Sequence, residues 1–138
     1  MDPNTLIVKR TKLIYPNLSY TISGLLFKVH NNLGRFHKEK TYSDALENLL
    51  KESAVVFERE KRLDVNWADL KITKNWADFL VDNKIVLEIK SKRLVTKDDY
   101  FQTLRYLELL NLPLGIIVNF RQKLLSPKRI LNPKCNLH

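Results

Sequence analysis

Cysteine occurs once in this sequence, at Cys135, and glycine three times, at Gly24, Gly34 and Gly115. A single thiol cannot close an internal disulfide and cannot by itself build a zinc cage, so the disulfide-scaffold and zinc-finger classes are excluded. With so few glycines flexible connections are few, and there is no Gly/Ser linker, low-complexity tract or internal repeat. No run approaches the ~20 apolar residues a membrane span needs. The stretch 114–118 is typical of the longest. The opening Met1-Asp2-Pro3-Asn4 lacks the charged-then-apolar pattern of a secretory leader, so a cytoplasmic protein with no membrane partner is expected.

What the chain does have is ordinary globular composition and an excess of positive charge. Its 138 residues are 44% hydrophobic and 28% charged, enough for one core without staples. Lys plus Arg is 24 against 15 for Asp plus Glu, a formal net charge of +9 with a pI near 9.7. A balance this basic suits a polyanionic partner, because each phosphate neutralised releases counterions. Charge of this size also keeps a protein dispersed, so taken alone it leaves nucleic acid and solubility both open.

The N-terminal segment 1–16, with Lys9, Arg10 and Lys12, is expected to be a basic arm or an edge strand, and 17–138 a single domain. Ile22, Leu25, Leu26, Val29 and Leu33 recur at helical spacing, and Gly34 is a natural stop. A second helix is predicted over about 38–52, with Tyr42, Ala45, Leu46, Leu49 and Leu50 inward. Val55-Val56-Phe57 reads as a strand entering the charged stretch 58–62. Thr96 with Asp99 three residues on is a helix start of capping-box type, and that helix is predicted to bury Leu104, Leu107 and Leu110 before Pro113. A buried strand over 114–120 follows, and the Pro-containing tail after Ser126 is left unassigned. The order helix, helix, three strands, helix, strand gives an α/β fold with a mixed sheet.

Between the last two helices lies the informative hairpin: strands 76–81 and 85–89 joined by Asp82-Asn83-Lys84. A three-residue loop pairs Val81 with Ile85, which brings Asp78 opposite Glu88. Asp78, Leu80, Val86, Glu88 and Lys90 then share one face, and Phe79, Val81, Ile85, Leu87 and Ile89 the other, an apolar set that belongs in the core. Two carboxylates at about 4 Å repel by roughly 1 kcal/mol in water and about 4 at an effective dielectric of 20. A hard divalent cation removes that repulsion, and Lys90 adds an ammonium on the same face. Acids, cation and lysine are what phosphodiester hydrolysis requires. The bland alternative is an exposed sheet face whose lysine is salt-bridged, and acid-x-Lys alone does not separate the two.

Asp78 followed ten residues later by Glu88-Ile89-Lys90 resembles the signature of the PD-(D/E)XK nuclease superfamily, and the element order is similar to its restriction-endonuclease-like αβββαβ core. Within it the chain resembles the small GxxExxY family from about Tyr15 to Phe120. The matching stretches are Val29-His30-Asn31-Asn32-Leu33-Gly34, Glu39-Lys40-Thr41-Tyr42, Asp78-Phe79-Leu80-Val81, Leu87-Glu88-Ile89-Lys90, Gln102-Thr103-Leu104-Arg105-Tyr106-Leu107 and Val118-Asn119-Phe120. The resemblance implies a metal-dependent nuclease acting on DNA or RNA, with Mg²⁺ or Mn²⁺ held by Asp78, Glu88 and the helix-borne Glu39. It further implies that Lys90 orients the attacking water and that Gln102 on the following helix supports the site. His30, Tyr42 and Tyr106 match as supporting residues, although packing accounts for the tyrosines and for a helix histidine as well. Dimers are common among such small nucleases, and nothing in the sequence demands one.

The sequence departs from the motif at its opening glycine, which is Phe36 here. A phenylalanine there is expected to pack inward or to crowd the groove leading to Glu39. This keeps open a second function, a nucleic-acid-binding module of the same fold that does not cut. Trp67-Ala68-Asp69 echoes Trp76-Ala77-Asp78, but only Asp78 stands ten residues from Glu88.

Overall fold

Alternation along the chain separates two apolar surfaces, and the sheet between them organises everything else. The computed structural model describes residues 14–63 and 74–135. Most of the N-terminal arm and the first Trp-Ala-Asp triplet, 67–69, lie outside them. The elements are α1 (Pro16–Leu33), α2 (Glu39–Glu52), β1 (Phe57–Arg62), β2 (Trp76–Val81), β3 (Ile85–Lys90), α3 (Lys97–Leu110), β4 (Leu114–Asn119) and β5 (Lys128–Leu131). The five strands form one mixed sheet in the order β1-β2-β3-β4-β5, with only β3 and β4 parallel. Helix α3 is the crossover between those two, as parallel neighbours require.

The expected α/β class and helix–helix–strand order are present, and so are the two predicted faces. Phe79, Val81, Ile85, Leu87 and Ile89 pack with Ile22, Leu26 and Val29 of α1 and Tyr42, Leu46 and Leu50 of α2. On the other side Leu80, Val86 and Ile117 pack with Tyr106 and Leu107 of α3. The hairpin has the predicted register, Val81 with Ile85 and Phe79 with Leu87. Its turn uses Asp82 and Asn83 at φ 53° and 52°, left-handed positions that these two side chains tolerate, and Lys84 N–H donates to Val81 O. Thr96 and Asp99 make the full capping box. Gly34 ends α1 at φ 72°, ψ −158°, a region essentially reserved for glycine.

Three local expectations need correction. Val55 and Val56 are not strand: Ala54 turns at φ 55° and Val55 N–H donates back to Leu50 O, so these residues wrap the end of α2. The strand is the charged stretch itself, an edge whose Arg59 reaches back to Asp44 and Glu47 of α2 at 2.7 and 3.0 Å. Helix α3 buries Leu107 as predicted, but Leu104 and Leu110 are only half-buried, and Asp99, Thr103 and Tyr106 are buried instead because the helix turns Thr103 and Leu107 onto Gly115. Finally the unassigned tail contains β5, which pairs antiparallel with β4.

Candidate active site

The ladder between β2 and β3 stops one pair short of the acids. Phe79 pairs with Leu87, but Asp78 and Glu88 are not paired through the backbone. Instead Asp78 N–H donates to Glu88 Oε1 at 3.0 Å, and Ile89 N–H donates to Asp78 Oδ2 at 2.8 Å. Pairing also skips Asp78 on its other side: β1 partners flank it at Phe79 and Ala77, while Glu60 between them turns to φ 54°. A glutamate at positive φ is a local strain, and here it coincides with the skipped pair on the β1 side of Asp78.

Asp78 Oδ1 and Glu88 Oε2 converge on a single cation, the Lys74 ammonium, at 2.7 and 3.1 Å. The Glu88 side chain is fully buried, whereas that of Asp78 is 19% exposed. Burial, and then the neighbouring Asp78 charge, push the Glu88 pKa up to about 8 against the pull of Lys74, the Asp78 N–H bond and Lys90. Burial disfavours the Lys74 ammonium too, but Glu88 and Asp78 outweigh it and hold its pKa above the ordinary lysine value. Tyr106 lies against the group, donating from its hydroxyl to Lys74 O at 3.1 Å. Burial, then the Glu88 and Asp78 charges, raise its pKa and keep it a phenol.

Lys90 continues the same face, 3.8 Å from Asp99 Oδ1. Asp99 is also bound by Lys92 and caps α3, so one carboxylate ties the lysine, the loop 91–96 and the helix start together. Burial works against the Asp99 charge, but Lys92, the Thr96 N–H and Lys90 outweigh it and hold the carboxyl below its usual range. Gln102 is half-buried on α3, one turn before Tyr106 and on its side of the helix.

The remaining sequence-derived residues lie elsewhere. Glu39 is exposed at the first position of α2. Its end of the helix meets the end of β3, where Ser91 Oγ donates to His37 O at 2.6 Å. Among the described residues no three His, Cys, Asp or Glu side chains gather into a metal-binding group, so Glu39 does not form one with Asp78 and Glu88 here. Tyr42 is buried in the opposite core, stacked on Phe120 at 4.2 Å, its hydroxyl donating to Gly34 O and accepting from His37 N–H. His30 Nε2 is 2.8 Å from Gln122 O, tying α1 to the segment after β4. Phe36 does not pack inward. It is 75% exposed, with the guanidinium groups of Arg35 and Arg121 over its ring at 5.0 and 5.6 Å. Each of those arginines donates from Nε to the other's carbonyl, which fixes the pair.

Sequence reasoning missed Lys74. Its four-residue distance from Asp78 is no signal, since the chain there is extended and only the fold brings the ammonium between the acids. The bridged position nonetheless tests the acids for a metal. Two carboxylates on neighbouring strands already hold one cation, and oxygen donors of this kind suit Mg²⁺ or Mn²⁺, which complete their shells with water and phosphate oxygens.

A family model describing the PD-(D/E)XK nuclease superfamily matches residues 16–130. No curated protein and no solved structure matches the chain.

Proposed function

The chain belongs to the PD-(D/E)XK nuclease superfamily, and from that membership we propose that it hydrolyses phosphodiester bonds in DNA or RNA with Mg²⁺ or Mn²⁺ held by Asp78 and Glu88. The convergence of Asp78 Oδ1 and Glu88 Oε2 on one ammonium is the observation that carries this reading. A divalent cation bound there supplies Lewis acidity and a water acidic enough to deprotonate near neutral pH.

The chain's own residues do the rest. Reciprocal bonds to Asp78 N–H and Ile89 N–H hold the acids in one orientation, so no reorganisation is needed when a phosphate arrives. A divalent cation held by the two acids would take the place that the Lys74 ammonium has here. Lys90, oriented by Asp99, orients the attacking water and stabilises the charge that builds on phosphate oxygens as the P–O bond to the leaving alcohol breaks. Gln102 and Tyr106 line the α3 side. Glu39, one helix start away, joins through water or the substrate rather than by direct contact with the acids. Membership of the GxxExxY family fits Tyr42 as the residue that fixes the loop 34–38 before Glu39.

Lys74 also favours the second reading, a module that binds nucleic acid without cutting, because a lysine can satisfy both acids permanently. A cleavage screen over single strands, duplexes and flaps with Mg²⁺ and Mn²⁺ separates the two. The native chain is expected to cut, and Lys90→Ala to slow cutting by orders of magnitude with little change in affinity. Binding without cutting under every metal condition establishes the second reading.

A further inference from the structure

A cleft of about 470 Å³ opens beside the acids without including them. Its floor is Ile117, the Cα partner of Glu88 across β3 and β4, so it lies on the strand next to the one that carries Glu88. Ile117 packs with Leu80 and Val86, which places the cleft on the α3 face, the face of Glu88 and Lys90. Its wall is the loop 91–96 with the first turn of α3, contributing Leu94 and Tyr100. These are 69% and 42% exposed, large apolar groups left in water at the mouth of a cavity. The wall is nevertheless firmly set: Asn119 accepts from Lys92 N–H at 3.1 Å and donates to Lys92 O at 2.7 Å.

Arg93 and Lys128 give the cleft positive charge. Gln122 lines it too; its Oε1 accepts from Ser126 N–H, which leaves its NH₂ as a donor for a ligand. An apolar floor, an aromatic wall, two cations and an amide donor are the parts needed to stack a nucleobase, hold its phosphate and touch its edge. The volume is that of a site for a small organic group. A base paired inside a duplex cannot enter, since its faces are stacked on neighbours. On the premise of the nuclease function proposed above, we infer that this cleft takes an unstacked nucleobase adjoining the scissile phosphate, and that the substrate is single-stranded or frayed rather than blunt duplex.

The test is fluorescence titration in EDTA, with a short oligonucleotide carrying 2-aminopurine presented single-stranded, as DNA or RNA, and as its blunt duplex. The native chain should bind the single strand at least tenfold more tightly and quench the probe. Tyr100→Ala, at a partly exposed position, should weaken single-strand binding about tenfold and abolish the quench, and Tyr100→Phe should restore both. Leu94→Glu should weaken binding by placing negative charge at the mouth. A native chain that binds in EDTA and cuts once Mg²⁺ or Mn²⁺ is restored, but is indifferent to strandedness and to Tyr100→Ala, overturns the cleft's assignment and leaves the nuclease function standing. A native chain that binds neither form in EDTA, and cuts neither with Mg²⁺ or Mn²⁺, removes the nuclease function and the cleft's assignment with it.

Discussion

Asp78 and Glu88 each bond to the other's strand: the Glu88 carboxylate accepts from the Asp78 backbone, and the Asp78 carboxylate accepts from the Ile89 backbone. The two acids therefore replace the ladder where it stops, and their outer oxygens are left to share a cation. Removing either acid should cost the strand pairing as well as the site.

Metal should stabilise the native chain by displacing Lys74. A ligand of the native state adds RT ln(1 + [L]/Kd), about 2.7 kcal/mol at ~100 times Kd. Melting should rise with Mn²⁺ or Mg²⁺, and Asp78→Asn should abolish most of the rise. Above about pH 8, where Glu88 is ionised as well as Asp78, Lys74→Met should be less stable than native by about 3–5 kcal/mol without metal, because two buried charges lose their partner. With its competitor gone, the same variant should bind Mn²⁺ more tightly by calorimetry. Equal metal affinity in native and Lys74→Met would show that the ammonium and the metal do not share a position.

Glu88 should make metal-free stability fall as pH rises. Its pKa lies at about 8, raised by burial and then by Asp78, against an ordinary value of 4.5. Between those values the native state keeps a proton that the unfolded chain has lost, so the unfolding free energy decreases with pH across that window. Asp99 and Asp44 are lowered and act with the opposite sign, their contributions disappearing only in acid. Denaturation curves from about pH 5 to about pH 8 in EDTA should show the decline, and Glu88→Gln should flatten it. A decline of the same slope in Glu88→Gln assigns it to other groups.

Gly115→Ala should loosen α3 from the sheet. A Cβ there meets Thr103 Cγ2 at 3.1 Å and Leu107 Cδ1 at 3.3 Å. Thr103 cannot swing aside without breaking its hydroxyl bond to Asp99 O. Overpacking of this kind costs about 1–3 kcal/mol, measurable by denaturant titration. A neutral effect would mean that the helix start, and Asp99 with it, shifts freely.

Asn119→Ala should release the loop 91–96. Lys92 N–H and Arg121 N–H both lose their acceptor, a loss of about 1–3 kcal/mol for each donor left buried. Amide exchange at Lys92 should quicken while the centres of β3 and β4 stay protected; unchanged exchange would show the loop held by Asp99 alone.

The hairpin and its two faces were legible because an odd loop and strict alternation on both strands admit one register. The capping box at Thr96 was legible for the same local reason. β1 was displaced because Val55 and Val56 look more strand-like than Glu58-Arg59-Glu60-Lys61-Arg62, and only the partners Asp44 and Glu47 explain why charged residues form that edge. β5 escaped because just one of its four residues, Ile130, is buried. Lys74 could not be read at all, since its role depends on a contact made only in three dimensions.

Among the described residues the sheet ends at β1 and β5. β5 carries exposed Lys128 and Arg129, and β1 is bent at Glu60 by a left-handed kink. Strands charged or bent in this way are poor templates for another strand. Two copies joined at β5 would bring the Lys128 and Arg129 charges of both together, so that edge disfavours a sheet continued from copy to copy.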